Sequence, residues 1–194
     1  KLMDAEDNEQ DIEFNIYFMD LAGNSGVVED EDDISNNSNV EFDATDPTIN
    51  SPTLATTNDY NNQLATVLDV IIITIVSDEP LYSIKDAAIA GQNVTDQTTA
   101  ATNKTSWTVE HTVSGSEADG YASYSFTAVD LAGNTTTETS ASSTIRIDNT
   151  APTLGTVEIS SNNADITQAK IGNTVTINVV ANEPLRVNPT MTIQ

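Results

Sequence analysis

The sequence predicts an all-β protein made of tandem β-sandwich modules, one complete and two partial. Three observations carry that reading. Val, Ile, Thr and Ser are abundant while Lys, Arg and Gln are few, a balance that suits strands. Apolar and polar residues alternate in several stretches, the period of a half-buried strand. Distinctive motifs recur at a fixed spacing, and 194 residues leave room for one or two real cores.

The repetition has three anchors. Asp20-Leu21-Ala22-Gly23-Asn24 returns as Asp130-Leu131-Ala132-Gly133-Asn134, an offset of 110. The junction from Val40 to Ile49, with Asp43, Asp46 and Pro47, returns from Ile145 to Leu154, with Asp148 and Pro152, at an offset of 105. Glu79-Pro80-Leu81 returns as Glu183-Pro184-Leu185 at an offset of 104. A period near 105 fits one sandwich of the immunoglobulin class. Residues 1–45 then form the C-terminal strands of a first module, 46–150 a complete one, and 151–194 the N-terminal strands of a third.

Each element follows from its local pattern. Ile12, Phe14, Ile16 and Phe18 alternate with Glu13, Asn15, Tyr17 and Met19. Their counterparts are Ala122, Tyr124, Phe126 and Ala128, so both copies are expected to bury one face. The Asp-Leu-Ala-Gly-Asn turn follows, its Gly giving the backbone freedom of a tight turn. Val40 and Phe42 close the first segment. The offset drops from 110 to 105 across Glu29–Asp33, so that acidic run reads as an insertion between the last two strands, a solvated flexible loop with binding of further calcium as the alternative. In the middle module Ile71, Ile73 and Ile75 make a core strand, matched by Val175, Ile177 and Val179, and a turn at Asp78-Glu79-Pro80 ends it. Residues 86–104 read as short edge strands with loops. Trp107, Val109, His111 and Val113 alternate as another strand, and Ser114–Gly120 is a polar turn. Residues 189–194 are expected to begin a third strand of the last module.

Charge narrows the role. Thirty Asp and Glu against six Lys and Arg give a formal net charge of −24. Such a surface repels nucleic acid and anionic membranes, so neither is expected as a partner. Self-repulsion on this scale destabilises a compact state unless cations gather at the acids, which points to a divalent metal. Cysteine is absent, so disulfides and thiolate metal sites are excluded. No signal peptide is recognised, and the longest apolar run, Val70–Val76, is strand length and broken by Thr74, so no membrane insertion is expected.

Asp-Leu-Ala-Gly-Asn, then Ile-Asp-Asn-Thr-Ala-Pro-Thr-Leu, then Val-Val-Ala-Asn-Glu-Pro-Leu resemble the tandem immunoglobulin-like repeats of large extracellular adhesins and surface proteins. The resemblance spans essentially the whole chain. It implies an extracellular or cell-surface setting and a stalk often stiffened by calcium, with adjoining modules of the same or neighbouring chains as partners. The acidic insertion and the incomplete end modules depart from simpler members.

The chemistry follows from where a sandwich puts its loops. The loop after the second strand, the loop between the last two strands and the incoming linker share one end. At the first junction this gathers Asp43 and Asp46 with Asp78, Glu79, Asp130 and Asn134. Calcium takes roughly six to eight hard oxygen ligands, which carboxylates from converging loops supply. The plain alternative is solvated acids at turn-favoured positions. At the second junction Asp148 and Glu183 are present, and Asp20 with Asn24 of a neighbour would complete the set. Pro47 and Pro152 stiffen both crossings. Asp4, Glu6 and Asn8 begin like an EF-hand loop, but Glu9 stands where its turn glycine belongs, so that reading fails.

No enzyme is expected. His111 is the sole histidine, and without cysteine the parts of nucleophilic or zinc chemistry are missing. His111 and Trp107 share a face and read as structural, a sugar-stacking Trp107 being the minority reading. Asn36, Asn93, Asn103 and Asn134 each head an Asn-x-Ser/Thr glycosylation acceptor. The leading expectation is a calcium-stiffened segment of an adhesin or surface fibre. A filament subunit completed by its neighbours, and a carbohydrate-binding module, are the alternatives.

Overall fold

The computed structural model describes residues 3, 12–34, 40–141 and 143–192. It divides into two compact units, Lys1–Asp148 and Asn149–Gln194. The described residues are all-β, with two single-turn 3-10 helices at Glu31–Asp33 and Thr95–Gln97. None of their helices is long and apolar enough to cross a membrane.

The first unit opens with β1 (Asn15–Ile16) and β2 (Glu29–Asp30), paired antiparallel. Then come β3 (Ile49–Thr56), β4 (Leu64–Ala65), β5 (Val70–Ser77), β6 (Leu81–Ile89), β7 (Gln92–Asn93) and β8 (Thr98–Ala100). The unit continues with β9 (Ser106–Thr112), β10 (Gly120–Tyr121), β11 (Tyr124–Asp130), β12 (Thr135–Ser140) and β13 (Arg146–Ile147). Two four-stranded antiparallel sheets result, ordered β3-β5-β9-β8 and β12-β11-β6-β7. A short third sheet, β10-β13-β4, contains the parallel pair β13–β4.

One core lies between the two larger sheets. Ile71, Ile73, Ile75 and Val109 come from one side and Ile84, Ile89, Phe126 and Ala128 from the other. Alternation explains the choice: successive side chains on β5 point to opposite faces, so only every second one enters the core. Each fully buried Ile or Phe contributes roughly 1.5–3 kcal/mol. The core is therefore the main source of stability in this unit.

The second unit contains β14 (Leu154–Ser161) and β15 (Val175–Ala181), antiparallel. Its register repeats that of the first unit. Ile49 faces Ser77 and Leu54 faces Ile73, while Leu154 faces Ala181 and Ile159 faces Ile177. Each pair carries one irregularity near the start of its first strand, between Asn50 and Thr53 in one and between Leu154 and Thr156 in the other. The two strand pairs thus share one register.

Four expectations differ from what is found. Ile16 and Phe18 are 52% and 53% exposed, whereas Phe126 is 1% exposed, so the two copies do not bury the same face. Likewise Val175 is exposed, and Ile177 and Val179 are half-buried where Ile71, Ile73 and Ile75 are sealed. The reason is physical: β5 and β11 have an opposing sheet over their apolar face, and alternation alone does not supply one. Glu29–Asp33 is not an unstructured insertion. Asp30 closes β2 and caps the 3-10 turn, its Oδ1 accepting from Asp32 N at 3.0 Å while Asp33 accepts from Asp30 N at 3.2 Å. Residues 189–192 form no strand. Asp4, Glu6, Asn8, Glu9 and Asn36 lie outside the described residues.

Candidate metal centre

The turn from Asp130 to Asn134 builds one wall of the site. Asp130 N donates to Asn134 O at 3.1 Å, closing the loop between β11 and β12. The Asp130 Oδ1 then accepts from Gly133 N at 2.6 Å and Asn134 N at 2.9 Å, and Oδ2 accepts from the Asn134 amide at 2.8 Å. Gly133 has φ 103°, a region that side chains other than glycine's disfavour. The upstream copy folds alike. Asp20 Oδ1 accepts from Ala22 N at 2.8 Å and Asn24 N at 2.9 Å, and Asn24 donates to Oδ2 at 2.8 Å. The Asn24 side chain, first among these donors, holds the Asp20 carboxyl below its ordinary range. The five-residue motif thus encodes a self-locking turn.

The linker is sewn to this turn and to the loop after β5. Asn134 also donates to the Asp43 carbonyl at 3.3 Å, and Thr135 N donates to Asp46 Oδ1 at 3.1 Å. Thr136 Oγ1 donates to the Pro47 carbonyl at 2.6 Å. On the other side Thr48 N donates to Asp78 Oδ1 at 2.9 Å, and Asp78 N returns a bond to Thr48 O at 3.1 Å. Pro47 has no N–H to satisfy and is buried between the two walls.

These bonds bring three carboxylates together. One oxygen each of Asp43, Glu79 and Asp130 lies within 4.8 Å of the others. Asp130 is 1% exposed, and Asp43 and Glu79 are half-buried. Among the described residues neither Asp43 nor Asp130 pairs with a lysine or arginine. Like charges at such separations repel by roughly 3 kcal/mol per pair at an effective dielectric near 20. Compared with known proteins, the chain matches no family model, no curated sequence and no solved structure.

The donor set suits a hard cation. The three side chains that meet here offer carboxylate oxygens alone, the hard donor type, with no thiolate or imidazole among them. Asp46 and Asp78 each accept a backbone N–H, from Thr135 and Thr48, and so position the linker. Asp43 and Asp130 also accept backbone N–H groups, from Thr45 and from Gly133 and Asn134. At the second junction Asp148 belongs to the first unit and Glu183 to the second. Glu183, the counterpart of Glu79, has a buried Oε1 without a hydrogen-bond partner among the described residues. Thr153 and Asn182 repeat the linker clamp, with Thr153 N to Asn182 Oδ1 at 2.7 Å and Asn182 N to Thr153 O at 3.0 Å.

The remaining sequence candidates fall into place. Asn93 and Asn103 are exposed, each holding a turn by accepting from Thr95 N and Thr105 N. Asn134 commits its side-chain amide to Asp130 and Asp43, so its nitrogen is not free to carry a glycan. Trp107 is 8% exposed and its indole N–H donates to Lys104 O at 2.9 Å, which leaves no open ring face for sugar. His111 Nε2 meets Glu117 Oε1 at 2.8 Å.

Glu117 was not singled out by the sequence. It is buried, and it accepts from Ser114 N, Ser114 Oγ and Gly115 N as well as from His111. Burial pushes its carboxyl up, but hydrogen bonds from its own backbone N–H, His111 and Ser114 outweigh burial and hold it at about 2. The Ser114-x-x-Glu117 spacing, a capping pattern, was the available signal.

Proposed function

We propose that this chain is a structural, calcium-stiffened segment of immunoglobulin-like repeats from an extracellular adhesin or surface fibre. One observation carries the reading: linker, second-strand loop and last loop each deliver a carboxylate to a single corner, at Asp43, Glu79 and Asp130. A cation there supplies positive charge that relieves their mutual repulsion. The chain's own residues do the rest: Asp46, Asp78, Asn134 and Thr136 fix the linker against the module. The strand orders β3-β5-β9-β8 and β12-β11-β6-β7 resemble the two sheets of an immunoglobulin-type sandwich with β7 as an added edge strand, which supports the class. Calorimetric titration with calcium tests the reading. Binding that Glu79→Gln weakens supports it, and absence of binding removes it.

A second reading, a filament subunit whose partial modules are completed by neighbouring copies, is favoured by the exposed apolar faces at Ile16 and Phe18 and at Val157 and Ile159. Concentration-dependent polymers in sedimentation support it, and a monomer at all concentrations removes it.

A further inference from the structure

The complete module has a second feature that the metal corner does not use. Where the chain crosses from β3 to β4 and from β12 to β13, the sandwich side opens into two cavities. One, of about 510 Å³, is bounded by Thr53, Leu54, Tyr124 and Ser140. The other, of about 420 Å³, is bounded by Asn61, Gln63, Tyr121 and Arg146. Both include Ser143 and Thr144, so they meet as one groove. Each alone falls within the size range of ordinary ligand pockets, roughly 300–1,000 Å³.

The lining is amphipathic in a particular way. Tyr121 and Arg146 are cross-strand partners on β10 and β13, so their side chains project on one face. Tyr121 is 63% exposed, a large apolar ring left in water beside a polar strip. Arg146 is one of six cationic side chains in a chain of net charge −24, yet it pairs with no carboxylate among the described residues. At the other end Tyr124 is half-buried and stacked on Phe126, centroids 6.4 Å apart, which fixes its ring as a wall.

We infer that this groove binds a neutral, hydroxyl-rich oligosaccharide. A sugar has an apolar C–H face and a rim of hydroxyls. The exposed Tyr121 ring offers a flat apolar surface for the first, with a hydroxyl at its edge. The guanidinium fork of Arg146 and the amides of Asn61 and Gln63 offer donors and acceptors for the second. The charge decides between sugars: a polyanionic glycan is repelled by the acidic surface, whereas a neutral one is not. This site is independent of the metal corner, which lies among the loops of Asp43, Glu79 and Asp130.

Titration of the intact chain with neutral gluco-, manno- and galacto-oligosaccharides tests the inference. At least one series binds, and Tyr121→Ala and Arg146→Ala each weaken that binding by about tenfold or more. Tyr82→Ala, which removes a comparably exposed tyrosine from β6, leaves it unchanged. Tyr121 and Arg146 are exposed, so thermal midpoints of both variants stay near the parent's and loss of folding is excluded as a cause. Binding by no neutral series, binding only of uronate-rich glycans, or equal loss in Tyr82→Ala overturns the inference.

Discussion

Thr48 and Asp78 hold each other twice, N–H to carboxylate at 2.9 Å and N–H to carbonyl at 3.1 Å, across thirty residues of chain. Thr153 and Asn182 repeat the pair in the second unit. The residue after each linker proline is thus tied to the end of the second long strand. Asp78→Ala is expected to lower stability by about 1.5–3 kcal/mol, the range for hydrogen bonds to charged groups. Asp78→Asn, which copies the second unit, restores most of it. Urea denaturation of both variants checks this.

The glycine of the repeated turn should be sensitive for a backbone reason alone. A Cβ added at Gly133 or Gly23 meets nothing within 4 Å, but φ is 103° and 90°. Gly133→Ala is expected to cost on the order of 1 kcal/mol or more, with an unchanged core. Thermal melting of Gly133→Ala beside an exposed-site alanine control measures it.

Burial separates the two copies of the same strand. Phe126→Ala empties a sealed core position and should cost about 3–5 kcal/mol. Ile16→Ala, its repeat counterpart at 52% exposure, should cost less than about 1 kcal/mol. Equal effects would mean that the first segment has a cover over its apolar face.

The Glu117 cluster predicts a pH window. Its folded carboxyl lies at about 2, below the ordinary value of 4.5, so its stabilisation is full above about 4.5 and is lost as pH falls towards 2. The difference in melting temperature between the parent and Glu117→Gln is therefore expected to be constant above pH 4.5 and to shrink below it. Comparing the two proteins cancels the many other acids that titrate in that range.

Much of this architecture is legible without coordinates. Alternation picks out Ile71, Ile73 and Ile75, and repetition at a fixed offset anticipates the shared register of β14–β15 and β3–β5. Asp43, Glu79 and Asp130 are far apart in sequence, and the loop geometry of a sandwich is what draws attention to them together. Other features are opaque for physical reasons. A period of two shows that Ile16 and Phe18 share a face but says nothing about what covers it. Five consecutive acids read as solvated charge, yet Asp30 and Asp33 use theirs to cap a turn. Glu117 hides in a polar loop because its burial depends on Ser114 and His111 folding over it.

The central claim is that a cation at Asp43, Glu79 and Asp130 stabilises the junction. Thermal unfolding of the parent and Glu79→Gln, each in calcium and after chelation, tests it most directly. At calcium near one hundred times its dissociation constant, binding to the folded state alone adds about 2.7 kcal/mol. The parent's midpoint should therefore fall on chelation, and the Glu79→Gln midpoint should move far less. A parent midpoint indifferent to chelation, or an equal fall in both proteins, contradicts the account.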